Sequence, residues 1–359
     1  MAKLEHIKKL IENIQHSEGE GFVLNQMNLA EEISKYEKEN TGLIIKIITI
    51  LGGFLGSTFL VAFISMTFQL NKNQNFILAF GIILIVGAVL SSRFSKLLIF
   101  DTIFVTILLW GILLVFVSSS SLNIAARWIS FYFLLIGAFA ILFSKNSYQI
   151  LIALLMIAGS ILWMIQIYKY FWLFHAFTIV IVVGLVQIFL NEATLISSKH
   201  YFSKLYDSSK IGLILILLIS LGIISIKSEI PFDVKYPWIS SLPIIVAILL
   251  FINILMNKLG IAERNTKSFV YLISLIVLAL TVISPAIVGS ILVLLFCFYI
   301  NYKTGFIIGV LSIIFFVCMF YYELNYSLLI KSEILFVSGL IFGGIYFLSA
   351  KKLMTDEKN

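Results

Sequence analysis

From residue 43 onward the chain repeats one pattern, a long apolar run followed by a short polar break. The runs cover 43–68, 76–91, 97–117, 125–143, 149–168, 171–190, 211–226, 238–256, 268–283, 285–301, 304–322 and 328–349. A helix that spans a bilayer needs about 20 mostly apolar residues. In lipid an unpaired backbone donor or acceptor has no water to turn to, so the runs are expected to be helical throughout. The pattern predicts an all-α, polytopic transmembrane helix bundle of about twelve spans. The division at Ser284-Pro285 rests on length, because residues 268–301 would otherwise form one overlong helix. A tight hairpin or a kink is expected there.

Residues 1–41 read differently. Leu4, Ile7, Ile11 and Ile14 follow helical spacing, Gly19 and Gly21 interrupt it, and Leu29, Ile33 and Tyr36 resume it. Two short amphipathic helices joined by a turn are expected in this cytoplasmic segment. They form either a cap on the membrane or bundle surface, or a module that binds a partner. The segment lacks the charged, apolar and small-residue succession of a cleaved signal peptide, so the first span is expected to stay as an anchor. The transmembrane domain then runs over 42–350 and a cytoplasmic tail over 351–359.

Composition makes the membrane reading firm. The chain is 61% hydrophobic and 12% charged, against about 45–50% and 25% in soluble domains. The formal charge of +7 does not point to nucleic acid, because the basic residues are scattered through short breaks. They are also asymmetric. Arg93, Lys96, Lys145, Lys199, Lys204, Lys210, Lys258, Arg264, Lys267, Lys303, Lys351, Lys352 and Lys358 fall on one side, with Lys35 and Lys38 before the first span. Lys72, Arg127, Lys169, Lys227, Lys235 and Lys331 fall on the other. An excess of Lys and Arg marks the cytoplasmic side, which puts both termini in the cytoplasm. Two outer loops have some length: Ser118 to Arg127, opening with four serines, and the proline-containing Ser228 to Trp238. The second reads as a lid or a docking site.

Few side chains in the spans could carry chemistry. Lys46, Asp101, His175, Lys331 and Glu333 are ionisable, and a charge at mid-membrane costs about 2.5–3.5 kcal/mol. Lys46 can snorkel to the interface. Asp101 sits where a helix N-terminus favours a carboxylate, just after Arg93 and Lys96. His175 follows Phe171, Trp172 and Phe174, which suggest an interfacial aromatic belt. Lys331 and Glu333 lie near the start of the last run and point about 200° apart on a helix, so each needs its own partner. Glu323 is the candidate for Lys331. The interfacial reading and a polar pathway both remain open for this pair.

Three glycine pairs, Gly52/Gly56, Gly305/Gly309 and Gly339/Gly343, have the spacing that lets helix backbones approach closely. Cys297 and Cys318 lack the spacing of a metal or redox motif. The phosphate-loop, zinc-helix and nucleophile-elbow motifs are absent. No catalytic, metal or cofactor cluster is legible, so an enzyme is disfavoured.

GLIIKIITILGGFLGSTFLVAFI (Gly42 to Ile64), SPAIVGSILVLLF (Ser284 to Phe296) and YYELNYSLLIKSEILFVSGLIF (Tyr321 to Phe342) resemble the first helix, closing hairpin and last helix of a bacterial family, domain of unknown function 4401 (DUF4401). The resemblance implies a polytopic inner-membrane protein without an established activity. It also implies a small membrane-anchored partner bearing Gly-Asp-Tyr-x-x-Leu-x-Tyr, a motif missing here, so such a partner would act in trans. No functional residues come with the resemblance. Two functions are expected: a non-enzymatic membrane protein that holds a partner subunit, or a secondary transporter or lipid-handling protein.

Overall fold

A computed structural model describes residues 43–67, 73–93, 98–192, 200–225, 234–260 and 264–323, together with 329–330, 332–333, 336–340 and 343–344. Among these residues the regular structure is entirely helical. The helices are α1 (Leu43–Thr67), α2 (Gln74–Ser91), α3 (Leu98–Ser121), α4 (Ala126–Phe143), α5 (Ser147–Tyr168) and α6 (Leu173–Leu190). They continue as α7 (His200–Ser225), α8 (Trp238–Lys258), α9 (Arg264–Thr281), α10 (Pro285–Tyr299) and α11 (Lys303–Glu323).

Nine of the described helices are long and apolar enough to cross a bilayer, fewer than the twelve spans expected. Two of the other three expected spans fall short for physical reasons. α9 opens with Arg264, Asn265, Thr266 and Lys267, which lower its hydropathy. α10 has 15 residues, about 22 Å at 1.5 Å per residue, which is short of a hydrocarbon core of about 30 Å. The expected run 328–349 is described only in helical pieces. Residues 1–41 and 351–359 lie outside the described residues.

Two apolar cores organise the bundle. The first joins α2, α3, α4 and the start of α5 through Ile85, Val89, Leu108, Val115, Phe133 and Ala153. The second gathers the rest of α5 with α6, α7, α8, α10 and α11 around Phe174, Leu217, Leu221, Ile244, Phe251 and Phe296. α5 belongs to both and bridges them.

α10 is the most enclosed element for its length, buried from Pro285 through Ser290 and again at Leu292, Val293, Phe296 and Cys297. Residues 282–284 break the chain before it, with Pro285 at its first turn. That is the expected division, and proline is tolerated there because the first-turn N–H has no intrahelical partner anyway.

Contacts between helix ends establish which ends lie together. Arg93 after α2 donates from Nε to the Phe143 carbonyl at the end of α4. Gln149 at the start of α5 donates to the carbonyls of Ala88 in α2 and Phe104 in α3. Lys258 at the end of α8 bonds the Tyr299 hydroxyl at the end of α10. At the other side, Ser241 near the start of α8 donates to the Val282 carbonyl before α10. The grouping is the alternation that the basic residues imply.

Glycine packing departs from the expected pairs. Gly305 and Gly309 do lie against α10, where a methyl on Gly309 would stand 3.2 Å from the Leu294 Cα. Gly52, Gly56, Gly339 and Gly343 face open space. The closest approach to another helix's backbone is elsewhere: a methyl on Gly81 would lie 3.1 Å from the Gly111 carbonyl, and one on Gly111 2.9 Å from the Gly81 carbonyl. Neither residue has a glycine partner four positions away, so the spacing rule passes over them.

The serine-rich stretch is helix, not loop. Ser118 and Ser121 in α3 donate to the carbonyls of Leu114 and Val117, and Ser118 and Ser119 are buried. A serine whose hydroxyl bonds back four residues is satisfied inside a helix even without water.

Candidate functional site

The most concentrated charge among the described residues lies where the ends of α6, α7 and α10 meet. α7 starts eleven residues earlier than its apolar run predicts, at His200 rather than 211. Within this extension Ser208 donates to the Ser147 carbonyl on α5. The extension draws Lys210 out of a loop and into the bundle, with its side chain 8% exposed.

An ammonium so enclosed requires compensation. Glu192, beyond the end of α6, lies 3.7 Å from Lys210 Nζ, and Asp207, one turn back on α7, lies 3.3 Å away. Two aromatic faces complete the shell, with Nζ 4.2 Å from the Tyr206 ring centroid and 4.9 Å from that of Tyr302. Asp207 is largely exposed and contributes little, whereas Glu192 is mostly covered. The Tyr206 hydroxyl is buried without a well-formed hydrogen bond. Burial pushes the Tyr302 phenol above its ordinary range, with Cys297 and then Asp207 adding to the rise, while a hydrogen bond with Thr304 opposes it.

This cluster escaped sequence reading because Lys210 precedes an apolar run and looks like one more basic loop residue. Asp207 three positions before it, on a stretch without glycine or proline, is the available signal for a helical pair.

The predicted site residues lie apart from it. Asp101 falls in the first turn of α3, partly buried, as expected for a carboxylate at a helix N-terminus. Glu323 is the last residue of α11 and is partly buried. Glu333 is helical and exposed. Lys331 lies outside the described residues, as do its expected pairing with Glu323 and the side chain of Lys46.

His175 ties α6 to α8. Its Nε2 lies 3.3 Å from the Lys235 carbonyl and its Nδ1 2.7 Å from Ser240 Oγ. A carbonyl only accepts, so in the neutral ring Nε2 carries the proton and Ser240 donates to Nδ1. Of the expected aromatic belt, Trp172 is exposed and Phe171 half-buried, but Phe174 is fully buried in the core. No group of three or more metal-binding side chains occurs among the described residues.

The arrangement suits static ties between helix ends. Residues 42–352 match the family described as Domain of unknown function (DUF4401). The chain belongs to this family. The match covers nearly all of the helical domain of this DUF4401 protein, from α1 through the last described helical residues. No curated protein and no solved structure matches the DUF4401 chain.

Proposed function

We propose that this DUF4401 protein is a non-enzymatic membrane scaffold that holds a membrane partner subunit. The observation that carries the reading is the use made of its buried polar groups. Ser57 with Thr106, Gln149 with Ala88 and Phe104, His175 with Ser240, and Lys210 with Glu192 each join one helix to another. Polar groups spent this way hold a frame in one arrangement, whereas alternating access needs helices that separate and rejoin. α1 and α11 form loosely covered flanks, each with 17% of its central window buried, against 61% for α7. A partner helix has room on such flanks.

The partner would be a small membrane-anchored protein of the kind the family resemblance implies, and the host membrane a bacterial inner membrane with both termini of the scaffold in the cytoplasm. The test places a photo-crosslinking residue at Phe63 on α1, at Tyr322 on α11, or at Val180 on α6 as a control, in cells expressing the tagged chain. One stoichiometric small membrane protein joined from Phe63 or Tyr322, and lost in Lys331→Ala, is the expected result. Crosslinks to lipid alone at all three positions would sink the reading.

A further inference from the structure

A groove of about 510 Å³ opens between α6 and α8, with Phe296 of α10 among its lining residues. Its walls change character along their length. On α8 they run from Pro243, Val246 and Ala247 through Leu250 and Phe251 to Asn253 and Ile254. On α6 they run from Ile179, Val182 and Val183 to Val186, Gln187 and Leu190. Apolar side chains fill one end and two amides, Gln187 and Asn253, stand at the other.

Helical periodicity extends both walls past the groove. Residues four apart share a face, so Asn191 follows Gln187 and Asn257 follows Asn253, while Lys258 follows Ile254. Contacts agree with that continuation. Asn191 donates from Nδ2 to Gln187 Oε1 at 2.7 Å. Lys267 donates to Asn257 Oδ1 at 3.1 Å. Phe251, a wall residue, meets Tyr299 edge-on at 5.3 Å, and Lys258 Nζ lies 4.9 Å from the Tyr299 ring and bonds its hydroxyl. Both lysines are bonded to neutral groups, and no carboxylate is within ion-pair reach of either among the described residues.

The succession from hydrocarbon wall to amides to two cations, neither with a carboxylate in ion-pair reach among the described residues, follows the order of one lipid, from acyl chain to glycerol esters to phosphate. We propose that this groove is a binding site for one anionic glycerophospholipid. Its acyl chain lies against Val183, Val246 and Leu250, and its headgroup phosphate between Lys258 and Lys267. Both walls belong to membrane-spanning helices, so acyl chains are the material that meets the apolar end. Basic residues between helices at the same interface select acidic headgroups. The same side is the one expected to face the cytoplasm. This inference does not depend on the partner reading.

The test uses the purified full-length chain, delipidated in mild detergent and titrated with phosphatidylglycerol or phosphatidylcholine, with bound lipid counted by native mass spectrometry. One phosphatidylglycerol should be retained about ten-fold more tightly than phosphatidylcholine. The double variant Lys258→Ala, Lys267→Ala should bring the two lipids within about two-fold of each other. Val183→Trp should lose retention of both, whereas Val180→Trp, on the exposed outer face of α6, should behave as wild type. Equal retention of the two lipids by wild type, or unchanged retention in Val183→Trp, would overturn the proposal. A second measurement on the wild type guards against a misfolded variant. Phosphatidylglycerol with a photoreactive acyl chain should label the α6 and α8 walls, and labelling spread evenly over all exposed apolar faces would overturn the site.

Discussion

Lys210 illustrates how an expensive residue becomes a fixed one. Taking an ammonium out of water costs several kcal/mol unless charge and hydrogen-bonding partners replace the lost hydration. Here the replacement is a mostly covered carboxylate, a solvent-exposed carboxylate and two ring faces. The asymmetry of such sites makes a prediction. Lys210→Met removes the cation and leaves Glu192 still able to reach water, so it should cost about 1 kcal/mol or less. Glu192→Gln combined with Asp207→Asn strands the cation and should cost about 1–3 kcal/mol after allowance for screening at the exposed partner. Reversible unfolding in mixed micelles ranks the two. The opposite order would mean that Lys210 is held by packing and not by charge.

At the scale of elements, close backbone approach and interhelical hydrogen bonds replace the hydrophobic effect, since lipid gives helices no apolar reason to associate. α2 and α3 meet through Gly81 and Gly111, each of which would drive a methyl into the other's backbone. Gly111→Leu should therefore destabilise the protein by about 1–3 kcal/mol, the usual range for overpacking. Gly52→Leu on the open face of α1 should change it by less than about 0.5 kcal/mol. Thermal inactivation of a folded-state fluorescence signal distinguishes them. Two equally mild effects would show that the α2–α3 contact is loose.

α5 is the element on which the two cores depend. Gln149 is fully buried at its start, donating to α2 and α3 and accepting from Ser144. Its donor bonds reach two helices that are distant in sequence, so nothing in the periodicity of α5 distinguishes it from a glutamine at an interface.

For the whole molecule the open quantity is absolute orientation. Contacts group the helix ends into two sets, and the lysine and arginine excess leads to the expectation that one set faces the cytoplasm. With Cys297 and Cys318 replaced by alanine, a membrane-impermeant maleimide applied to intact cells should label Lys169→Cys. It should reach Lys303→Cys only after permeabilisation. The reverse pattern would invert the topology and move the proposed lipid site to the outer leaflet.

The sequence alone determined the class of solvent, the helical state and most helix positions. These follow from local rules: a backbone in lipid must pair with itself, and a run of apolar residues declares its own depth. It also placed the break at Ser284-Pro285, because length and a proline act within a few residues of the chain. What only the tertiary structure decided depends on neighbours far along the chain. Lys210 is enclosed by Glu192 and Tyr302, Gly81 is tight only because Gly111 faces it, and α10 can be short because other helices surround it. Ser118 and Ser121 of α3 passed for loop residues because polarity alone does not reveal that their hydroxyls bond back to their own helix. Local pattern records how each segment meets its solvent, whereas which segments meet one another is settled by the packing of the whole bundle.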